Sequence, residues 1–328
     1  MNHFRSSIIV TFIGLALAIV IGGLNALYIV ILLTLLEISL SFDNAVVNAK
    51  ILEDMEEKWQ KRFITFGMPL AIFGMRFLFP IVIVAIAGDL GVWETFDMAV
   101  NNPLSYKETL LSVEKFIFAF GGAFLLMVFL DFIFQTDREH KWIAVIEDSQ
   151  VISKIGKISS VQLIISLAIG LFLIIKTGDS GIAVAYLSGV LLHLLIASLD
   201  NLFNTNGVRN GLMGLLYLEV LDASFSFDGV IGAFALSSNL FIIMIGLGVG
   251  AMFVRSLTLY MVEKKTLQEY RYLEHGANYA ILALSMVMFM KIFFHVNEVI
   301  VGTVGIIIIV GATYHSSYLN RKEAKVLE

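Results

Sequence analysis

Long runs of apolar residues, separated by short polar stretches, dominate the chain. Ten of these runs are close to the length of about 20 residues that a helix needs to cross the hydrocarbon core of a bilayer. They cover residues 7–23, 25–47, 63–87, 113–135, 159–176, 181–199, 211–236, 239–262, 277–294 and 297–316. The alternating pattern of outer-membrane barrel strands is absent. The sequence therefore predicts an all-α, polytopic membrane bundle of about ten transmembrane helices.

Two connections between runs are short enough to predict tight helical hairpins. The fifth and sixth runs are separated by residues 177–180, and the seventh and eighth by residues 237–239. The loop at residues 88–112 is longer and acidic, and we interpret it as a solvated loop. Small residues in the eighth run, Gly246, Gly248 and Gly250, predict close packing against another helix.

The composition supports a membrane protein and excludes several other classes. Apolar residues make up 58% of the 328 positions and charged residues 15%, whereas soluble domains average about 45–50% and about 25%. The same values exclude a disordered chain. The net charge is −5 without a basic block, so no footprint for nucleic acid is present. Cysteine is absent, which removes disulfides and thiolate metal sites.

The distribution of positive charge predicts the orientation. If all ten runs cross the membrane, 16 of the 22 Lys and Arg residues fall on the face that carries both termini, and four fall on the other face. Positively charged loops stay in the cytoplasm. We therefore expect a multi-pass protein of the cell membrane with both termini cytoplasmic.

An internal repeat relates the two halves of the chain. Residues 36–44 read Leu-Glu-Ile-Ser-Leu-Ser-Phe-Asp-Asn, and residues 221–229 read Leu-Asp-Ala-Ser-Phe-Ser-Phe-Asp-Gly. Further pairs follow in the same order: Gly67 and Arg76 match Gly246 and Arg255, and Glu114 matches Glu274, each Glu being expected to open its helix.

Equivalent helices are five apart along the chain, and because five is odd the two halves cross the membrane in opposite directions. We assign residues 1–158 to the first repeat and residues 159–328 to the second repeat with its short cytoplasmic tail, within one integral membrane domain. Inverted repeats are typical of secondary transporters, whose substrate sites lie near the bilayer midplane at the repeat interface.

Four carboxylates inside the apolar runs are the main candidates for chemistry. They are Glu37, Asp43, Asp222 and Asp228. Each costs about 2.5–3.5 kcal/mol at the bilayer centre on insertion scales, so we expect them to face the bundle interior, where a cation, a proton or an arginine offsets the charge. Glu37 and Asp43 lie about 120° apart on a regular helix. They can meet at one ion only if the segment around Ser39 and Ser41 is distorted.

Oxygen atoms make up the whole candidate ligand set. Hydroxyl, amide and carboxylate groups near the four acids support it: Asn44, Ser39, Ser41, Ser224, Ser226 and Glu219. All-oxygen sites suit Mn²⁺, Mg²⁺ or Ca²⁺ rather than Zn²⁺ or Cu²⁺. A proton on one carboxylate would couple metal release to pH. We expect no tightly bound cofactor and no catalytic residues.

Two arginines lie within apolar runs, and two interpretations stand for them. Arg76 and Arg255 either neutralise site carboxylates when the ion is absent or carry their charges to the membrane interface. Their positions, about ten residues into their helices, favour pairing. His193 is interpreted as a packing residue and Asp131 as an interfacial one.

At these motifs the chain resembles a known family. Residues 37–44 match the E-x-x-L-S-x-D-N signature of the TerC family, and residues 222–228 resemble its second motif, D-x-x-F-S-x-D. The chain is most similar to the branch known as domain of unknown function 475. TerC proteins are grouped with LysE-type exporters, take their name from tellurium resistance and are associated with manganese export. The resemblance implies an ion site of five residues: Glu37, Asp43, Asn44, Asp222 and Asp228. Gly229 departs from the pattern, since many members have Ser or Asn there, and we expect a poorer second half-site.

Export of a divalent cation, with Mn²⁺ favoured, is the leading functional hypothesis. Export of an amino acid or another small organic solute, as in the wider LysE group, is the alternative, with Arg76 or Arg255 as the cationic partner. An intramembrane aspartyl protease is not supported, because no G-x-G-D string occurs. A membrane scaffold that assists metal loading of secreted proteins would leave the buried acids unexplained. The oligomeric state is open.

Overall fold

The structure, a computed structural model, describes residues 4–53, 55–135, 140–156, 158, 160–203 and 211–327. Within these ranges all regular secondary structure is helical, without a strand. Four described helices are long and apolar enough to cross a membrane, namely Arg5–Leu40, Pro103–Phe134, the Ser180–Leu199 portion of a longer helix, and Leu240–Glu263. The all-α class is confirmed, and the long apolar helices are those of a membrane protein.

The described residues form a series of helices along the chain. The first part of the chain contains α1 Arg5–Leu40, α2 Phe42–Glu53, α3 Glu57–Pro69, a π-helical segment Leu70–Leu78, α4 Phe79–Ala87, α5 Val92–Asn101 and α6 Pro103–Phe134. Two short helices follow, α7 Ala144–Glu147 and α8 Gln150–Ile155. The remainder contains α9 Val161–Thr177, α10 Ser180–Phe203, α11 Gly211–Leu236, α12 Leu240–Glu263, α13 Thr266–Glu269, α14 Leu273–Lys291 and α15 Glu298–Leu327.

Helix α1 is divided into two arms at Gly22 and Gly23, where the backbone leaves the helical region. Ser7 in the first arm donates to the carbonyl of Met252 at 2.9 Å, and Glu37 in the second arm packs at Gly250. On a straight helix Ser7 and Glu37 would lie about 45 Å apart, yet they contact α12 two residues apart. The chain therefore reverses at the two glycines, between the first and second predicted runs.

A positive φ makes this reversal possible. Gly23 has φ +64° and ψ −152°, a conformation that only glycine adopts without strain. The two predicted hairpins are also present, because α9 ends at Thr177 before α10, and α11 ends at Leu236 before α12. Gly178 closes α9 with φ +65°, and its N–H donates to the carbonyl of Ile174 at 2.8 Å.

Several boundaries differ from those predicted by hydropathy. The loop at 88–112 contains α5, and α6 begins at Pro103, ten residues before the predicted run. Asn102 caps α6 by accepting a hydrogen bond from the N–H of Ser105 at 3.5 Å, and Pro103 fits the first helical turn. Glu114 consequently lies inside α6, whereas Glu274 lies in the first turn of α14. The expectation that Glu114 opens a helix was wrong. Helix α6 begins earlier because Asn102 caps it and its first turns consist of residues outside the apolar run.

Glycines on α12 let the second arm of α1 pack closely, as the small residues predicted. A Cβ at Gly246 would lie 2.5 Å from the Cβ of Leu33, and one at Gly250 would lie 2.5 Å from the Cβ of Glu37. Thr34 donates to the carbonyl of Gly246 at 3.1 Å. This close packing carries Glu37 to the centre of the bundle.

Candidate functional site

The first motif lies at a break between two helices. Helix α1 ends at Leu40 and α2 begins at Phe42, while Ser41 between them has φ −104° and ψ 16°. The N–H of Ser41 donates to the carbonyl of Glu37 at 3.0 Å. Distortion around Ser39 and Ser41 was the condition for Glu37 and Asp43 to meet at one ion, and this segment contains an interruption at Ser41. Asp43 falls in the first turn of α2, where the helix dipole favours a negative charge.

Arg76 connects the carboxylates of the two motifs. It lies on the π-helical segment and is 1% exposed, and its Nη2 forms a salt bridge with Oε1 of Glu37, which is 0% exposed. Its Nη1 lies 3.8 Å from Oδ2 of Asp222. The π-helical segment also displaces the register that a regular α-helix would give Arg76, and such segments occur frequently at functional sites.

A second contact joins the motifs directly. Nδ2 of Asn44 donates to Oδ1 of Asp222 at 2.6 Å, and both side chains are buried. Oε1 of Glu37 also accepts a hydrogen bond from Oγ of Ser41 at 2.7 Å. Residues 178 positions apart in sequence thus form one polar cluster.

Arg255 forms a neighbouring pair with Glu219. Its Nη2 donates to Oε1 of Glu219 at 3.1 Å, and its Nη1 donates to the carbonyl of Phe63 at 3.3 Å. The guanidinium also stacks 4.2 Å from the centroid of the Phe63 ring. A Cβ at Gly67 would overlap the guanidinium, so this glycine leaves the space that Arg255 needs. Both arginines are therefore buried and paired with carboxylates, the arrangement that their positions in the sequence favoured.

The buried charges in this cluster do not cancel. Four carboxylates are largely buried, Glu37, Asp43, Glu219 and Asp222, against the two buried arginines. If all six groups are ionised, these residues carry a net charge of −2. Asp228 lies on α11, but its side chain is outside the part of the chain that the structure describes. An excess of negative charge inside a low-dielectric bundle is costly unless a cation or a proton offsets it.

Several buried side-chain oxygens in and near the two motifs accept no hydrogen bond from any described residue. Among the described residues, seven buried side-chain oxygens lack a hydrogen-bond partner: Tyr106 Oη and, in or near the two motifs, Glu37 Oε2, Asn44 Oδ1, Asn48 Oδ1, Glu219 Oε2, Asp222 Oδ2 and Ser226 Oγ. Unpaired buried polar atoms are unfavourable unless something binds them. No cluster of three acidic or histidine residues with metal-ligand geometry occurs in the described ranges.

The remaining predicted site residues occupy different positions around this cluster. Ser224 donates to the carbonyl of Val220 at 2.9 Å, within its own helix, and Ser39 is half-buried. Asp43 accepts from the N–H of Asn44 at 2.9 Å, and a Cβ at Gly305 of α15 would lie 3.5 Å from its Oδ2. Asp43 therefore faces α15, apart from the contacts of Arg76.

Gly229 has a role that its place in the motif did not reveal. A Cβ at this position would lie 3.0 Å from Oε2 of Glu37. A serine or asparagine would therefore crowd the carboxylate of the first motif. Glycine at this position lacks a side-chain oxygen, but it leaves the space that the carboxylate of Glu37 occupies.

Two polar features were missed by the sequence analysis. Nε2 of His193 and Oδ2 of Asp131 are 2.8 Å apart, between α10 and α6, although these residues were interpreted separately as packing and interfacial. Asn48 follows Asn44 by one helical turn and is also buried. The spacing of four residues on one helix face was the available signal.

Comparison with known proteins identifies a family but no activity. A family model described as "Protein of unknown function (DUF475)" matches residues 42–323. This range includes most of the polar cluster and most of the 328 residues. No curated protein and no solved structure shows significant similarity to the chain.

Proposed function

The chain belongs to the DUF475 family, whose description gives no function, and we propose from the site itself that it is a secondary transporter exporting a divalent cation. Mn²⁺ is the favoured substrate. The observation that carries the proposal is the buried cluster in which Arg76 faces both Glu37 and Asp222, one carboxylate from each motif. The resemblance to TerC proteins and LysE-type exporters points in the same direction.

The donor chemistry supports a hard divalent cation. The cluster offers carboxylate, amide and hydroxyl oxygens and no sulfur, and such ligand sets suit Mn²⁺, Mg²⁺ and Ca²⁺. The buried carboxylates that the structure describes outnumber the buried arginines, so a bound cation would reduce an excess of negative charge. Cation binding would compete with Arg76 for Glu37 and Asp222, so Arg76 would act as the counter-ion in the metal-free state.

The proposed architecture has ten membrane crossings in two inverted repeats, with both termini in the cytoplasm. The chain reversal at Gly22 and Gly23 supports two crossings within residues 5–40. The contacts between motifs support a site at the interface of the repeats. Transport would follow from the movement of one repeat against the other around this site. The protein would reside in the cell membrane.

Export of an amino acid remains the alternative from the same resemblance. A zwitterion needs a free cationic partner for its carboxylate, but the described contacts of Arg76 and Arg255 already include protein carboxylates. The site therefore supports a cation better than a zwitterion. A competition between Mn²⁺ and amino acids in the assay below separates the two hypotheses.

Metal flux into proteoliposomes tests the proposal, and this is our first prediction. We expect the purified wild-type protein to carry Mn²⁺ across the membrane, and Asp222→Asn to abolish most of the flux because it removes a charge from the cluster. Asp148→Asn is the matched control, since Asp148 is an exposed acid that pairs with Lys141. A dye that responds to Mn²⁺ inside the vesicles measures the rate.

Two results would contradict the proposal. Wild-type flux equal to that of empty vesicles would exclude Mn²⁺ transport under these conditions. Equal flux in Asp222→Asn and Asp148→Asn would separate transport from the cluster. An imposed pH gradient in the same assay tests proton coupling.

A further inference from the structure

The segment formed by the second arm of α1 and by α2 runs antiparallel to α11. Three contacts along this interface establish the direction. A Cβ at Gly229 would lie 3.9 Å from Leu40, Asn44 bonds to Asp222, and Leu52 packs in one cluster with Leu218. Moving along α2 toward Glu53 therefore means moving back along α11 toward Gly211.

From this antiparallel pairing we infer that Asn48 and Glu219 lie at about one level of the interface. Asn48 lies midway between Asn44 and Leu52, about 6 Å from each along the helix axis. Glu219 lies between Asp222, which bonds to Asn44, and Leu218, which belongs to the same apolar cluster as Leu52. The interface thus contains a second polar level, one turn beyond the pair of Asn44 and Asp222.

Both residues at this level hold a buried oxygen without a partner among the described residues. The atoms are Oδ1 of Asn48 and Oε2 of Glu219, in side chains that are 4% and 7% exposed. The other oxygen of Glu219 accepts from Arg255, which fixes the carboxylate. An amide oxygen and a carboxylate oxygen are both ligands that a hard cation prefers.

An apolar cluster closes the same interface one turn further along α2. Leu52, Met55, Phe63 and Leu218 form it, and we call it the inner apolar cluster. Arg255 stacks on Phe63, so the cluster is in direct contact with the partner of Glu219. On the same helix Lys50 forms a half-exposed salt bridge with Glu274 at 3.6 Å, and the sequence places Lys50 on the predicted cytoplasmic side.

The second motif has no counterpart of this polar level. In the repeat alignment Gly229 takes the place of Asn44, and Ala233 takes the place of Asn48. Ala233 is fully buried. The amides of Asn44 and Asn48 therefore follow the polar cluster along α2 toward Lys50, whereas the equivalent positions of α11 are Gly229 and Ala233.

We propose that Asn48 and Glu219 form a second cation station, between the central carboxylates and the inner apolar cluster. The inference rests on the proposed function, because the station would pass a divalent cation between the central cluster and the cytoplasm. Asn48 supplies a neutral oxygen there, which assists dehydration without trapping the ion.

The absence of native cysteine permits a direct test by thiol modification. Asn48→Cys introduces the only thiol, and Ala233→Cys is the matched control at the repeat-related position. Inside-out vesicles receive a membrane-impermeant thiol reagent with and without Mn²⁺. We expect Asn48→Cys to react from the cytoplasmic face, Mn²⁺ to slow the reaction, and Ala233→Cys not to react from that face. Adding Leu218→Ala opens the inner apolar cluster and should raise the rate.

A second measurement does not depend on the cysteine variant. We expect Asn48→Ala to weaken Mn²⁺ binding by about tenfold, the lower range for loss of a group that supports a metal site. Asn48→Asp should retain binding. Asn101→Ala is the control, because the Asn101 amide bonds to exposed Asp97 on α5.

Each outcome has a defined meaning. The station is wrong if Asn48→Cys remains unmodified even with Leu218→Ala, or if Mn²⁺ leaves the rate unchanged. Wild-type transport without protection at residue 48 would contradict the station alone. Protection by Mn²⁺ without transport would contradict the proposed function alone.

Discussion

The two copies of the motif share two carboxylates and two serines but differ in backbone and in contacts. The first copy is interrupted at Ser41, between α1 and α2, whereas the second lies within the continuous helix α11. Ser41 donates to Glu37, but its counterpart Ser226 has an Oγ without a partner among the described residues. A repeat in sequence therefore does not produce a symmetric site.

The arginines show the same asymmetry. Arg76 reaches Glu37 of its own half and Asp222 of the other half. Arg255 pairs with Glu219 of its own half. Its contacts with the other half are a hydrogen bond to the carbonyl of Phe63 and a cation–π contact with the ring of Phe63. Arg76 thus pairs with carboxylates of both motifs, while Arg255 pairs with Glu219 beside the inner apolar cluster.

Removal of Arg76 should have the largest effect on stability. Arg76→Ala leaves the carboxylates of Glu37 and Asp222 without their buried cationic partner, and breaking a buried ion pair costs about 3–5 kcal/mol. Arg255→Ala should cost less, because Glu219 is less buried than Glu37. Denaturant unfolding in detergent measures both. Equal losses would contradict the difference between the two pairs, and Lys61→Ala in an exposed salt bridge is the control.

The two serines should differ when each is changed to alanine. Ser41→Ala removes a hydrogen bond to a carboxylate, a contact of about 1.5–3 kcal/mol, whereas Ser226→Ala should leave unfolding almost unchanged. If Ser226 is a metal ligand, its substitution should instead weaken Mn²⁺ binding. Unfolding and binding measured on the same samples separate the two roles. A larger stability loss in Ser226→Ala than in Ser41→Ala would reverse the comparison.

The approach of α1 to α12 gives a third, smaller effect. Gly250→Ala places a Cβ 2.5 Å from the Cβ of Glu37, and overpacking of this kind costs about 1–3 kcal/mol. Gly311→Ala on α15 is the matched control, because nothing lies within 4 Å of its Cβ position. The shift of the unfolding midpoint reports the difference. A loss in Gly311→Ala as large as that in Gly250→Ala would exclude the steric explanation.

An exposed ion pair should contribute the least, in contrast to the buried pair of Arg76. The hydrogen bond from Arg271 lowers the pKa of Glu323 below its ordinary value of 4.5. A lowered pKa in the folded state means that the contribution to stability is present above pH 4.5 and disappears as the pH falls through the folded-state pKa. Salt should screen this contribution. Comparison of Glu323→Gln with the wild type at two pH values measures it, and a difference that grows as the pH falls would contradict the sign.

The sequence predicted those features that follow from local pattern. The hairpins at Gly178 and Ser237, the reversal at Gly23 and the break at Ser41 all lie where apolar runs end or where polar residues interrupt them. Pairing of the arginines followed from the cost of an unpaired charge in an apolar helix.

Other features depend on contacts that no local pattern contains. The pairing of Arg76 with Glu37 depends on the register of the π-helical segment. The close approach of Gly229 to Glu37 depends on the packing of α11 against α1. Asn48 became a candidate only when the antiparallel pairing placed it level with Glu219. Helix α5 was missed because hydropathy does not distinguish an exposed polar helix from a loop.

Binding of Mn²⁺ to the purified protein tests the central claim most directly. Titration calorimetry with the wild type, with Asp43→Asn combined with Asp228→Asn, and with Asp222→Asn compares the intact cluster with two partly neutralised ones. Our account predicts saturable binding of Mn²⁺ to the wild type that both sets of substitutions weaken strongly. An absence of divalent cation binding in all three proteins, each folded, would contradict it and return the buried carboxylates to proton or organic-solute chemistry.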